Sequence, residues 1–158
     1  MIVLGIDPGL AFTGYGFIDS SKNRFKHIAH GTIETNNTIS QGARLAVIYE
    51  KISMLIQRYS PEQVGIEALY FAKNTSSGLL VAQALGVILL AVEHHKLPIR
   101  EVAPNTVKKT VTGVARAEKV QVQHCVKILL GLQDIPKPDH AADALAIAIT
   151  TSQTTLPV

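Results

Sequence analysis

Residues 1–18 constrain the fold more than any other part of the chain. They open with an apolar run, Ile2, Val3, Leu4 and Ile6, which is the pattern of a strand buried on both faces. The run ends on Asp7, Pro8-Gly9 predicts an immediate turn, and Phe12 to Ile18 reads as a second strand. A carboxylate at the end of a central strand is costly to desolvate unless a cation or donor lies beside it. Asp7 therefore either faces such a partner or caps the turn through its own side chain.

A second apolar strand also ends on an acid. Val64, Gly65 and Ile66 are followed directly by Glu67. Sites in open α/β sheets gather at the carboxyl ends of strands, so neighbouring strands would bring Asp7 and Glu67 face to face. Two carboxylates within about 4 Å of each other repel unless a divalent cation holds them together. The alternative is that Glu67 lies at an exposed strand end.

The rest of the chain alternates strand and helix patterns, which predicts an α/β fold. A third strand over His27 to Ile33 would complete an antiparallel meander, and a further strand covers Ile99 to Val102. Apolar residues at three- and four-residue steps predict helices elsewhere. These helices cover residues 40–59, 74–95, 104–113 and 117–131, and a final helix over 140–149 is capped by Asp139. The tail from Thr150 is expected to fray.

The helix over 74–95 is apolar around nearly its whole circumference. Such a helix must be buried on all sides, which in a chain this small indicates a subunit interface as well as contact with the sheet. Its apolar run, Leu79 to Val92, is interrupted by Gln83 and is shorter than a bilayer span requires, so no membrane span is expected. His94 and His95 in its last turn are interpreted as caps.

The length of 158 residues indicates one domain over residues 1–158. The single Cys125 suits a reducing cytosol, and no secretion leader precedes the first strand, which predicts a cytoplasmic protein. The segment from Arg100 to Lys137 contains seven basic residues and three acidic ones. This balance suits a phosphate backbone, although an ordinary solvated surface gives the same balance. Lys108, Lys109 and Lys119 flank the Gly113 turn, where grouped lysines can hold a phosphate.

A third group of polar side chains lies on the final helix. His140 and Asp143 are three residues apart and share one helical face. With Asp7 and Glu67 they form a mostly oxygen donor set, which favours Mg2+ or Mn2+ over zinc. Two such ions are suited to cutting phosphodiesters. Tyr70 and Phe71 in the loop after Glu67 could stack on a base or fold back onto the core.

Several motifs together resemble the bacterial Holliday-junction resolvases of the RuvC family. They are GIDPG at 5–9, TGYG at 13–16, IE at 66–67, AKN at 72–74, QALG at 83–86, VKKTV, AEKVQVQ at 117–123 and HAADALAIAI at 140–149. The resemblance implies an RNase H-like fold, with a five-stranded mixed sheet and flanking helices. It also implies a homodimeric endonuclease of DNA recombination and repair that nicks a four-way DNA junction symmetrically and works with the RuvA–RuvB complex.

The resemblance also assigns roles residue by residue. Asp7, Glu67, His140 and Asp143 match the metal-ligand positions, which implies two Mg2+ ions per site with Mn2+ as a substitute. Tyr70 matches an aromatic that stacks at the crossover, and Lys108 and Lys119 match basic residues that support phosphate binding or transition-state charge. Asp139 lies one residue off the matched position. Leu85 stands where some relatives have Arg, and the chain lacks the basic tail of some relatives.

Three other functions are alternatives to that of a resolvase. An actin-like ATPase also places Asp and Gly after a first strand, but it needs a second lobe and adenosine loops that this chain lacks. A junction-binding module without activity would leave the acids uncompensated, and these would repel DNA. A nuclease for RNA–DNA hybrids would use the same fold. The basic helix pair and the apolar helix favour the resolvase.

Overall fold

The computed structural model describes residues 1–21, 24–68 and 75–154. Five strands and five helices run through these residues. In chain order they are β1 (Ile2–Asp7), β2 (Phe12–Ser21), β3 (Arg24–Glu34), α1 (Gln41–Tyr59), β4 (Gln63–Glu67), α2 (Thr75–His94), β5 (Ile99–Val102), α3 (Pro104–Thr112), α4 (Lys119–Leu129) and α5 (Asp139–Gln153).

The strands form one mixed sheet in the order β3-β2-β1-β4-β5. Strands β1, β2 and β3 pair antiparallel, whereas β4 is parallel to both β1 and β5. The meander and the parallel strands are therefore confirmed, with β1 at the centre. Because β1 and β4 run in the same direction with Ile6 opposite Ile66, the two acids that follow those residues lie at one edge of the sheet.

Helices cover both faces of the sheet. Leu4, Ile6, Phe17 and Ile66 pack with α1 and α2 on one face. Val3 and Ile18 pack with α3, α4 and α5 on the other. This is the arrangement that continuous apolar strands require, since each face must be covered by another layer.

Glycines let α5 lie directly on the strands. A Cβ at Gly5 would overlap the carbonyl oxygen of Ala144, and a Cβ at Gly65 would overlap the hydroxyl of Thr151. Gly14 has the same relation to the backbone of His140. Glycine in a strand interior commonly marks such a close backbone approach. The position of α5 is thus set by close contacts at these glycines.

The last helix differs from the sequence prediction at both ends. Pro138 occupies the N-cap position and Asp139 is the first helical residue, so Asp139 is not the cap. The helix continues to Gln153, so fraying from Thr150 is wrong for the described part of the tail. Thr150 and Thr151 are buried, and their hydroxyls donate to the carbonyls four residues earlier, which removes the cost of burying them. Residues 155–158 lie outside the described residues.

Helix α2 buries one face only within this chain. Ala84, Ile88, Ala91 and Val92 are fully buried, whereas Leu79, Leu80 and Leu90 are 62%, 40% and 49% exposed. Burial on all sides, as the sequence predicted, is therefore not reached inside one chain. The length argument against a membrane span is also corrected, because Ser76–His94 is long and apolar enough to cross a bilayer. A single helix of this kind is weak evidence for a span, since core helices have the same composition.

Candidate active site

The candidate site lies where β1 and β4 end beside the start of α5. Side chains alternate between the two faces of a strand. Asp7 therefore points to the same side as Gly5, which lies under α5. By the same alternation Glu67 points to the same side as Gly65. Both strand-end acids thus face the helix that carries the remaining candidate ligands.

His140 and Asp143 meet Asp7 at this edge. The His140 Nδ1 atom lies 2.7 Å from Asp7 Oδ2. One donor atom from each of Asp7, His140 and Asp143 lies within 4.8 Å of the others. The three-residue spacing of the two helical residues places both on the face of α5 that lies over the sheet. Two carboxylates and an imidazole at this separation could hold a divalent cation.

Glu67 lies beside this group and shares an open pocket with Asp143. The pocket has a volume of about 230 Å³, and Lys108 and Lys119 also line it. Burial and the negative charges of Asp7 and Asp143 raise the pKa of Glu67 to about 7, against the opposing effect of the two lysines. The carboxylates are thus close enough to disfavour one another's ionisation, which a bound cation would relieve.

The pKa of Asp7 is also raised, chiefly by burial. Its hydrogen bond to His140 acts in the opposite direction, and the nearby charge of Asp143 raises the pKa further. The Asp7 side chain is only 15% exposed, so water offers it little compensation. An acid buried in this way beside other acids is typical of functional sites.

Lys119 supplies the closest positive charge. Its Nζ lies 3.0 Å from Asp143 Oδ2 and 3.8 Å from Asp139 Oδ2. Partial burial lowers the pKa of Lys119, but the hydrogen bond and charge of Asp143 outweigh this and raise it. Lys119 stays charged at neutral pH, so its ammonium group lies against the acids of the pocket.

Two features of the site were missed from the sequence. The exposed ring of Phe12 lies nearly parallel to the His140 ring, with the centroids 5.8 Å apart and the planes 9° apart. Gln123 donates to Asp139 at 3.2 Å. The position of Phe12 just after the Asp7 turn could have indicated the first contact. The four-residue steps from Lys119 to Gln123 and from Asp139 to Asp143 could have indicated the second.

Tyr70 was predicted to stack at the crossover, and it lies outside the described residues. Lys108 is half-buried at the rim of the pocket, whereas Lys109 is exposed. The structure therefore brings six of the seven predicted site residues to one place: Asp7, Glu67, Lys108, Lys119, His140 and Asp143.

Comparison with known proteins identifies the family. The family model described as crossover junction endodeoxyribonuclease RuvC matches residues 3–151. The RuvC of Treponema denticola is 57% identical over 94% of this chain and 83% of its own length. The RuvC of Treponema pallidum strain Nichols is 50% identical over 94% of this chain and 76% of its own.

Solved structures agree with the sequence comparison. Thermus thermophilus RuvC matches with a TM-score of 0.87 and 31% identity, covering 95% of this chain and 92% of that one. The same protein in complex with a Holliday junction substrate gives a TM-score of 0.87, 30% identity and coverage of 95% and 91%. The yeast mitochondrial resolvase Ydc2, at 14% identity and a TM-score of 0.65, shares the fold. This chain therefore belongs to the crossover junction endodeoxyribonuclease RuvC family.

Proposed function

We propose that this chain resolves Holliday junctions by cutting two opposed strands symmetrically, through hydrolysis at the edge where β1, β4 and α5 meet. The observation that carries the proposal is the convergence of Asp7, His140 and Asp143 within 4.8 Å beside Glu67. Family membership points to the same chemistry, and the Thermus relative has been solved with a Holliday junction substrate.

The donor set suits two Mg2+ ions, with Mn2+ as a substitute. We assign Asp7, Glu67, His140 and Asp143 as the ligands, because carboxylate oxygens dominate the set and hard cations prefer them. Divalent ions at such a site supply an activated water and charge for the leaving oxygen. The raised pKa of Asp7 and of Glu67 supports this assignment, since both carboxylates gain from a nearby positive charge.

The side chains around the ligands have separate tasks in this proposal. His140 Nδ1 lies 2.7 Å from Asp7 Oδ2. With Asp7 ionised, Nδ1–H would be the donor, and the Nε2 lone pair would be left to bind a cation or carry a proton. Lys108 and Lys119 line the same pocket and would hold the charge of the scissile phosphate as it grows. Tyr70 would stack on a base at the crossover.

Symmetric cutting requires two sites, so we propose a homodimer. The exposed leucines of α2, Leu79, Leu80 and Leu90, form the apolar face that a second copy would cover. The RuvA–RuvB complex is the proposed partner on the junction. The cytoplasm is the proposed location, where the chromosome of a bacterial cell lies.

The test is cleavage of a synthetic mobile four-way junction in Mg2+ and, separately, in Mn2+. We expect the parent protein, which carries no substitution, to make paired symmetric nicks. Asp7→Asn should reduce cutting by roughly a thousandfold or more while junction binding stays within about threefold, because a ligand is lost but the basic surface is kept. Asp134→Asn, which removes an exposed acid from the connector before α5, is the matched control and should cut normally.

Three outcomes would contradict the proposal. Binding without nicks in either metal would indicate a junction-binding module. Normal cutting by Asp7→Asn would remove the acid cluster from the reaction. Preferential cutting of an RNA–DNA hybrid by the parent would instead assign the chain to the other nuclease class on this fold.

A further inference from the structure

Helices α4 and α5 present two matched pairs of side chains to each other. Lys119 and Gln123 are four residues apart on α4, and Asp139 and Asp143 are four apart on α5, so each pair shares a helical face. Lys119 Nζ lies 3.0 Å from Asp143 Oδ2 and 3.8 Å from Asp139 Oδ2. The ammonium group thus has two carboxylate acceptors, and one of them belongs to the proposed metal site.

The Asp139 carboxylate is held in place without help from Lys119. The Nε2 of Gln123, a residue that is only 6% exposed, donates to Asp139 Oδ1 at 3.2 Å. The Nζ of Lys137 lies 3.7 Å from the same oxygen. Oδ1 is therefore occupied by these two groups, and Oδ2 is the atom nearer to Lys119.

Lys119 and a divalent cation would compete for the Asp143 carboxylate. The ammonium group lies 3.0 Å from Asp143 Oδ2, so a cation bound to this carboxylate would lie close to it. Two positive charges this close repel strongly in a partly buried pocket. An acceptor for the displaced ammonium group therefore affects how readily the acids bind metal.

We propose that Asp139 and Gln123 are positioning residues that give Lys119 a second docking position. Lys119 pairs with Asp143 while that carboxylate holds no divalent ion, and it shifts to Asp139 when Asp143 binds one. Lys119 then stays beside the pocket as a partner for phosphate. This inference rests on the proposed function, since it takes Asp143 as a metal ligand.

The test is the affinity of the full-length, metal-free protein for Mn2+, measured by calorimetry without DNA. Lys119→Met removes the competing charge and should tighten Mn2+ binding about three- to tenfold. Asp139→Asn removes the second docking position and should weaken it about three- to tenfold. In the Lys119→Met background the effect of Asp139→Asn should fall below about twofold, because no ammonium group remains to be displaced.

Asp139 also adds negative charge near the site, and the double mutant separates this contribution. A simple field effect persists whether or not Lys119 is present, whereas the docking effect disappears with Lys119. Asp134→Asn is the control for removing a carboxylate elsewhere, and Asp139→Glu, which keeps the charge, should stay within about twofold of the parent. Thermal unfolding of each variant checks that the fold is intact.

Equal weakening by Asp139→Asn in the parent and Lys119→Met backgrounds would overturn the proposal, as would no weakening in the parent. Asp7→Asn serves as a separate check on the metal site. If Asp7→Asn binds Mn2+ as tightly as the parent, the proposed metal site fails and this inference fails with it. If Asp7→Asn loses Mn2+ but the double mutant shows no coupling, only the role of Asp139 is lost.

Discussion

The two faces of the sheet are built in opposite ways. Towards α5 the central strands present glycines, including Gly5 and Gly65, and the helix lies directly on them, through the Ala144 backbone at Gly5 and the Thr151 side chain at Gly65. Towards α1 and α2 the same strands present large side chains such as Leu4 and Phe17. Contact this close at a glycine leaves no space for adjustment, whereas packing between large side chains tolerates changes that keep the total volume. The face that carries the acids is the one whose geometry is fixed most tightly.

A pair of substitutions on neighbouring residues of β1 tests this comparison most strongly. Gly5→Ala places a methyl group against the Ala144 carbonyl, so α5 must move. We expect a loss of about 3 kcal/mol in the free energy of unfolding. Cutting by the folded fraction should also fall by roughly tenfold or more, because the ligands on α5 move away from Asp7. Urea unfolding and single-turnover cleavage measure the two effects.

Leu4→Ala is the matched control on the opposite face. It should cost about 2–5 kcal/mol through the cavity it leaves, while the folded fraction cuts within about twofold of the parent. Equal losses of cutting activity per folded molecule in Gly5→Ala and Leu4→Ala would contradict this difference between the two faces of the sheet.

The exposed face of α2 provides a second test, because the proposed homodimer would extend side-chain packing beyond one chain. Leu79→Glu combined with Leu90→Glu places charge on the proposed dimer surface. We expect the dimer to weaken by roughly thirtyfold, or about 2 kcal/mol, measured by sedimentation equilibrium. Ile128 on α4, 74% exposed, is the control site. Dissociation by Ile128→Glu and not by the α2 variant would place the interface elsewhere.

The smallest expected effect concerns the electrostatic cost of crowding acidic side chains on the face of the sheet that α5 covers. The pKa of Glu67 is raised from 4.5 to about 7, so between these values the folded state binds more protons than the unfolded state. The contribution of Glu67 to stability is therefore fully present below pH 4.5 and is lost as the pH rises through 7. In EDTA, Glu67→Gln should become more stable relative to the parent from pH 5 to pH 8.

The expected gain for Glu67→Gln is on the order of 1 kcal/mol, reduced by solvent screening of a partly exposed carboxylate, or about 2–4 °C in Tm. Thermal unfolding at several pH values measures it. Glu50→Gln, which removes an exposed carboxyl group from α1 on the other side of the sheet, is the matched control. A stability difference for Glu67→Gln that does not vary with pH would contradict the crowding of acids at this site.

The strand-end acids were predictable because they depend on local pattern alone. An apolar run that ends on an acid fixes both the strand and the edge at which its carboxylate lies, and this holds for Asp7 and Glu67. His140 and Asp143 follow from helical spacing together with the family motif. In each case the signal lies within a few residues of the sequence.

The parts that could not be predicted depend on distances between elements. Thr150 and Thr151 begin the terminal tail, for which fraying was predicted, yet both are buried with their hydroxyls bonded within the helix. The contacts of Asp139 with Lys119 and Gln123 depend on how closely α4 approaches α5. The four-residue spacings show which side chains share a helical face, but they do not report the distance between the two helices. The glycines of the strands indicate only how closely α5 approaches the sheet.

The glycine contacts at the two ends of α5 also determine how catalysis can be altered from afar. His140 rests on Gly14 and Thr151 rests on Gly65, and the two helical residues are about 16 Å apart along the axis. Because α5 is held at these two points, it cannot slide along the sheet. The positions of His140 and Asp143 along the helix axis therefore depend on the contact at Thr151 as much as on the contact beside the acids. Substitutions around Thr151 would therefore tune the reaction without touching any group that takes part in it.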